Sequence, residues 1–289
     1  MTPSPTGVLV VDKPLGMTSH DVVDVVRERF GAKKVGHAGT LDPNATGVLL
    51  LGLGRGTRFL SYAQASPKRY RTVAVFGVTT STQDESGEVV KERRVADLSS
   101  ARLTSALGEF IGEIEQVPPM VSAVKLGGER LYRKARRGED VDRDARLVTV
   151  YEFDLVDLEV ERARATLDVR CSAGTYVRTL VNDLGETLGC GAHVRDLRRT
   201  EAGGFTEEDA VPLAELSTDH LLPLASAVRE LPSIEVDPDL VPAVRNGRLL
   251  PLVSDAVEGA GVALVRGGDL LAVYRRSGEK LVPDRVVGE

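Results

Sequence analysis

The chain of 289 residues has no tryptophan, two cysteines and four histidines, and its only aromatics are six Tyr and six Phe. Cys171 and Cys190 show neither metal-type spacing nor a disulfide framework, so two reduced thiols packed as small apolar groups are expected. His20, His37, His193 and His220 are widely scattered and lack ligand spacing with either cysteine, which argues against a metal site. No apolar run approaches a membrane span; the longest candidate, Val48 to Leu53, is broken by Gly52. Residues Met1 to Thr6 carry neither the basic start nor the apolar core of a secretion signal, so a cytoplasmic location is expected. A Gly-x-Ser-x-Gly elbow, internal repeats and low-complexity tracts are also missing.

What is present is an ordinary globular composition, 42% apolar and 28% charged, long enough for one large and one small domain. The net charge of −6 disfavours a polyanionic partner at first sight, but it is unevenly placed. Residues 201–289 hold 8 Lys/Arg against 16 Asp/Glu, whereas residues 1–200 hold 29 against 27. Arg130, Arg133, Lys134, Arg136 and Arg137 form one basic cluster. Lys68, Arg69 and Arg71 form a second around Tyr70, and Arg195, Arg198 and Arg199 a third. Phosphate binding follows such local patches more than total charge, and three of them on an acidic chain point to a polyanion.

Val8–Val11 reads as a buried strand, followed by a helix that Thr18 or Ser19 caps and Gly31 stops. Further strands are expected at Gly47–Leu53, Tyr70–Val78, Val121–Leu126 and Ala192–Arg199, with a long hairpin from Leu147–Val160 and Arg164–Cys171. Helices are expected at Thr57–Ala65, around Leu103–Ile111, at Glu129–Arg137 and at Tyr176–Leu188. Strand–turn–strand patterns recur after Val262. The charge switch near residue 201 and Pro212, Pro223, Pro232 and Pro238 place a domain boundary at about 210–235. The mixture lacks a strict βαβ rhythm and predicts an α+β protein with a small β-rich C-terminal domain.

Two constellations carry chemistry. In Gly36–Gly47, Pro43 pushes Asp42 out of helical geometry and the glycines permit sharp backbone paths, leaving a carboxylate on a stiff loop before an apolar strand. Such a group suits nucleophilic or acid–base work, although an Asp-Pro turn alone would be a plain structural feature. In Gly174–Gly185, Arg178 falls at a helix start two residues after Tyr176, where it could pair with Asp42 and keep it ionised. Tyr70 and Tyr176 offer flat faces for an extruded base, or for core packing. Gly52–Gly56 superficially suits a dinucleotide, but Thr57 stands where the third glycine of that fingerprint would fall, and a tight strand-to-helix turn is the better reading.

With these residues in view, the chain resembles the bacterial TruB-type tRNA pseudouridine synthases. The likeness runs from Gly7 to about Phe205. It rests on Gly7–Pro14 with Gly16–Ser19, on the Gly36–Gly47 loop and Thr57-Arg58, and on Lys68–Arg71. It continues through Val117-Pro118-Pro119 with Ser122–Lys125, Gly174–Gly185, Gly189–His193 and Leu197–Arg199. The resemblance implies a pseudouridine synthase core with a mixed, mostly antiparallel central sheet in residues 1–232. An RNA-clamping insertion near 121–146 and a PUA-like domain in 233–289 are also implied. It further implies cofactor-free isomerisation of the T-loop uridine at position 55 of tRNA. Asp42 matches the catalytic aspartate, which attacks sugar or base or otherwise supports the transient charge. Tyr70 matches a tyrosine against the flipped base, placed for proton transfer, and Arg178 the arginine that pairs with the aspartate. Tyr176 and Leu197 match pocket residues around the uracil, and His37 a histidine that fills the gap the nucleotide leaves. The implied partner is the tRNA T arm, bound by a monomer without guide RNA, required protein partner, membrane or metal. A non-catalytic RNA-binding or RNA-folding protein and a nicotinamide-dependent oxidoreductase are the alternatives from other classes.

Overall fold

Strand β1 (Gly7–Lys13) buries all four residues of Val8–Val11, and β3 (Ala45–Leu53) lies antiparallel along its whole length, with Gly7 opposite Leu53 and Lys13 opposite Gly47. Both strands read as near-continuous apolar runs because they are buried on both faces. The computed structural model describes residues 4–122, 125–126, 128–130, 137, 139, 141–252 and 257–288. They form two compact units, Met1–Ser66 with Glu201–Glu289, and Pro67–Thr200.

In the first unit, β1 leads into helix α1 (Ser19–Arg29), opened by a capping box between Thr18 and Asp21. Strand β2 (Val35–His37) pairs antiparallel with β3, and α2 (Leu60–Ala65) follows a 3₁₀ turn over Gly54–Arg58. That turn is the tight strand-to-helix connection expected from the sequence. A Cβ on Gly56 would lie 2.2 Å from the Gly7 carbonyl oxygen, so the glycine serves close backbone packing against β1.

The tail contributes a sheet of its own, in the order β15 (Ser233–Glu235), β17 (Gly261–Arg266), β18 (Asp269–Ser277), β19 (Lys280–Val286), β16 (Leu250–Pro251). Only β15–β17 is parallel. The β-rich tail expected from the sequence is thus present as a sheet, inside the first unit and not as a unit of its own. Its core, with Tyr274, Val262 and Leu281, closes over α5 (Val241–Arg245). The other side of the sheet is not self-contained: Ala263, Leu270 and Val273 join Val8, Val10 and Phe59 in one apolar cluster. Tyr62 donates its hydroxyl hydrogen bond to Asp284, and Arg55 donates to the Gly288 carbonyl at 2.7 Å.

The second unit is built on the antiparallel succession β4 (Lys68–Phe76), β11 (Arg164–Cys171), β10 (Arg146–Glu159), β7 (Gly112–Gln116). Strand β12 (Ala192–Ala202) neighbours β4 and ends in a hairpin with β13 (Phe205–Thr206) of the first unit's segment, after which β14 (Val211–Pro212) runs parallel to β1. Helices α3 (Ser100–Gly108) and α4 (Val177–Thr187) set Leu103, Leu107, Leu180, Val181 and Leu184 against Val150, Phe153, Leu167 and Val169. Fully buried Leu and Val side chains of this kind each contribute roughly 1.5–3 kcal/mol. Both cysteines lie in this core, and burial pushes the Cys171 thiol up to about 11, which leaves it protonated and inert.

The sheet is therefore mixed and mostly antiparallel within an α+β fold, as expected. The helix expected over Glu129–Arg137 is corrected at its start. Glu129–Arg130 is strand β9, paired with β8 (Lys125–Leu126) across the glycine turn. Residues 131–136, which hold Arg133, Lys134 and Arg136, lie outside the described residues. A short hairpin of β5 (Val78–Thr80) and β6 (Val89–Glu92) frames the turn at 80–87.

Candidate active site

Asp42 belongs to the first unit, and its neighbours in sequence are gripped on both sides. Before it, the buried Ser19 hydroxyl accepts the Leu41 N–H at 2.8 Å and donates to the Leu41 carbonyl at 3.1 Å. After it, the Pro43 carbonyl accepts the Gly16 N–H at 2.9 Å and lies 3.5 Å from the ammonium of Lys13. Lys13 is fully buried at the end of β1, and its Nζ also donates to the carbonyls of Met17 at 2.6 Å and Pro14 at 2.9 Å. A buried ammonium is tolerable only when its donors find acceptors, and here three backbone carbonyls supply them. The Ala45 N–H closes a turn on the Asp42 carbonyl at 3.0 Å. Gly39 and Gly47, at φ of 100° and 102°, give the loop its entry and exit in a region L-residues avoid. The half-buried Asp42 thus sits on a loop fixed by hydrogen bonds as well as by Pro43. His37 is half-buried at the end of β2, opposite Leu51.

Tyr70, Tyr176, Arg178 and Leu197 belong to the second unit. Tyr70 stands on β4 opposite Val169 of β11, half-buried, and packs with Leu197 of β12 against that unit's core. Tyr176 is the N-cap residue of α4, and its own side chain makes no capping bond. Instead the buried Gln116, last residue of β7, accepts the Tyr176 N–H at 2.7 Å and donates to the Tyr176 carbonyl at 3.1 Å. The amide thereby copies the paired hydrogen bonds of a β-ladder at a helix entrance.

Arg178, 3% exposed, lies in the first turn of α4, and the contacts of its guanidinium include two carbonyls and a carboxylate. Nη1 donates to the Thr82 carbonyl at 2.6 Å and lies 3.6 Å from Asp84 Oδ2, while Nη2 donates to the Val121 carbonyl at 2.9 Å. Asp84 is itself buried, and its Oδ1 accepts from the Thr82 hydroxyl at 2.7 Å and from the Ser86 N–H and hydroxyl at 3.0 and 2.5 Å. Gln83 and Glu85 tie the same turn to β12 through Val194, and Thr179 donates to the Gln83 side chain at 2.9 Å. Within its own unit, then, Arg178 locks the 80–87 turn and the root of the 121–146 segment onto α4. Gln116 and Asp84 border these side chains and carry no motif signal in the sequence, while Ser19 stands out there only as a possible helix cap and as part of the Gly16–Ser19 motif.

The basic clusters fare unevenly. Lys68 and Arg199 are buried, since alternate residues of a strand face the core, and Arg69 is bound to Asp168 at 2.6 Å and Glu152 at 3.1 Å. Arg71 and Arg195 remain well exposed. Arg137 forks onto Glu129 at 2.7 and 3.0 Å and onto Glu139 at 2.7 Å. Among the described residues no His, Cys, Asp and Glu side chains gather into a metal-binding group, and no helix is long and apolar enough to cross a membrane.

Comparison with known proteins gives a consistent answer. Residues 27–177 match the profile of the TruB family pseudouridylate synthases (N-terminal domain), and residues 178–230 that of the tRNA pseudouridylate synthase B C-terminal domain. The tRNA pseudouridine synthase B of Corynebacterium efficiens is 43% identical over 281 residues, covering 96% of this chain and 94% of the relative. That of Symbiobacterium thermophilum is 48% identical over 244 residues, covering 83% and 82%. Among solved structures, a chain of a Cbf5–Nop10–Gar1 complex superposes with a TM-score of 0.77 at 27% identity, covering 97% of this chain and 84% of that one.

Proposed function

Because the chain belongs to the TruB family of pseudouridylate synthases, we propose that it isomerises the T-loop uridine at position 55 of tRNA to pseudouridine. The observation that carries this reading is the anchored Asp42, inside a family match that also contains Tyr70 and Tyr176. In the proposed reaction the C1′–N1 bond breaks, the uracil turns in place, and C1′–C5 forms. The C5 proton departs and N1 gains one, so the step is an isomerisation with no net redox change. A target atom inside a stacked loop must first be extruded, at a cost of about a few kcal/mol of unstacking.

Asp42 is the proposed nucleophile, and Arg178 is proposed as the arginine that pairs with it. Tyr70 stacks on the uracil and carries its hydroxyl for proton transfer, Tyr176 and Leu197 wall the pocket, and His37 fills the vacated position. A rigid loop suits this role, because a carboxylate already aimed at its target avoids reorganisation during the reaction. The side chains alone supply the chemistry in this scheme, without cofactor. The enzyme works as a cytoplasmic monomer on the T arm, without guide RNA or protein partner, whereas the Cbf5 chain to which it is similar was solved with Nop10 and Gar1. We assign residues 1–232 to catalysis, with a T-loop clamp near 121–146, and 233–289 to a PUA-like domain.

The test is tritium release from C5-labelled uridine in an unmodified tRNA transcript, with binding measured in parallel. Wild-type protein should release label from position 55 alone. Asp42→Asn keeps shape but removes charge and nucleophilicity. Turnover should collapse with affinity retained, the signature of an interaction that matters in the transition state. Substantial release by the folded mutant would remove Asp42 from the mechanism. Binding without any release by the wild type would favour an RNA-binding protein that performs no chemistry.

A further inference from the structure

We infer that Ser19 is a positioning residue for Asp42, acting through the peptide group that precedes it. A serine at a helix start ordinarily spends its hydroxyl on its own helix. Here Thr18 caps the helix instead. Its hydroxyl accepts the Asp21 N–H at 3.1 Å, and Asp21 accepts the Thr18 N–H at 2.8 Å. Ser19 is thereby released for a partner 22 residues away, and it grips both polar groups of the Leu41 backbone at 2.8 and 3.1 Å.

The Leu41 carbonyl lies in the same rigid plane as the Asp42 N–H, so the Ser19 hydroxyl sets the plane from which Asp42 departs. Leu41 cannot swing to another position, because its side chain is 3% exposed, and Ser19 itself is 2% exposed. On the other side, Pro43 has a ring-fixed φ and a carbonyl held by Gly16 and Lys13. With both flanks fixed, the backbone of Asp42 has little room to move. The hydroxyl of Ser19 is the part of this frame that ties the residue before Asp42 to α1.

The inference rests on the reading of Asp42 as the nucleophile. The experiment therefore runs Ser19→Ala, Ser19→Thr and Asp42→Asn together on the full chain with unmodified tRNA transcript. Single-turnover rate, tRNA dissociation constant and thermal midpoint are read for each. Ser19→Ala should lose roughly 10–100-fold in single-turnover rate, the scale of a misplacement of about 1 Å, with tRNA affinity unchanged. Ser19→Thr keeps the hydroxyl and should recover most of the rate. Should the alanine variant fail to fold, Ser19→Cys, of similar volume with a weaker donor, must show the same split between rate and affinity. A wild-type rate in Ser19→Ala beside an inactive Asp42→Asn overturns the inference. So does a loss of rate matched by an equal loss of affinity, or a folded threonine variant as slow as the alanine one. An active Asp42→Asn overturns the underlying reading of Asp42 instead, and the two failures are told apart by that arm alone.

Discussion

Replacing Arg178 by Lys asks how much the guanidinium fork contributes to the second unit. The wild-type side chain serves two carbonyls, Thr82 at 2.6 Å and Val121 at 2.9 Å, with Asp84 at 3.6 Å, and it is almost wholly shielded from water. A lysine ammonium is a single point of charge and cannot span both carbonyls as the planar fork does. One buried acceptor is then left unserved, at about 1–3 kcal/mol. For a protein of this size each kcal/mol lowers the melting temperature by about 2–4 °C, so Arg178→Lys should melt roughly 2–12 °C below wild type. Arg178→Ala leaves Asp84 a buried carboxylate without its cation and should cost about 3–5 kcal/mol. Thermal unfolding measures the loss, and hydrogen exchange at Glu85, whose N–H bonds the Val194 carbonyl, shows whether the 80–87 turn loosens with it. A lysine variant that melts within about 1 °C of wild type, with unchanged exchange at Glu85, would refute the claim that the fork holds this turn.

Tyr70→Phe keeps the ring and removes the hydroxyl; turnover should fall by roughly two or more orders of magnitude with RNA binding near wild type. Full turnover in that variant would exclude a chemical part for the hydroxyl. Changing Arg133, Lys134, Arg136 and Arg137 together to Ala should weaken tRNA binding and lower its salt slope by somewhat less than one unit for each phosphate no longer neutralised. An unaltered slope would place the cluster away from RNA. Deleting residues from 233 onward uncovers the cluster of Val8, Val10 and Phe59, so the shortened chain should melt below the full one, and equal melting would show that the tail adds nothing to that core.

The elements were legible wherever local rules govern them. Thr18 and Gly31 bracket α1, the runs Leu147–Val160 and Arg164–Cys171 announce the β10–β11 hairpin, and the strand–turn–strand pattern after Val262 announces β17 and β18. The clamps at the site were not, and the reason is physical. Ser19 grips Leu41, Gln116 grips Tyr176, and Arg178 grips Thr82 and Val121, in each case through backbone atoms. Every residue carries such atoms, so the acceptor's identity leaves no trace in a sequence. The exposure of the basic clusters was illegible for a related reason. Consecutive charges look alike on paper, but strand geometry buries Lys68 and Arg199 and hands Arg69 to Asp168. At Glu129 a helical pattern yielded to a strand paired with Lys125–Leu126, beside Gly128 at a φ of 87° that favours glycine.

The Gln116 clamp has a bearing on how the proposed uracil pocket could change over time. Gln116 holds the amide and the carbonyl of residue 176 and asks nothing of its side chain. The tyrosine is in this sense a tool in a socket: another side chain could be mounted there while the backbone stayed where it is. If Tyr176 walls the proposed pocket, this mounting separates being in place from fitting a particular base. Diversifying position 176 with Gln116 kept, in search of altered base preference, is therefore a sounder route than changing the strands around it.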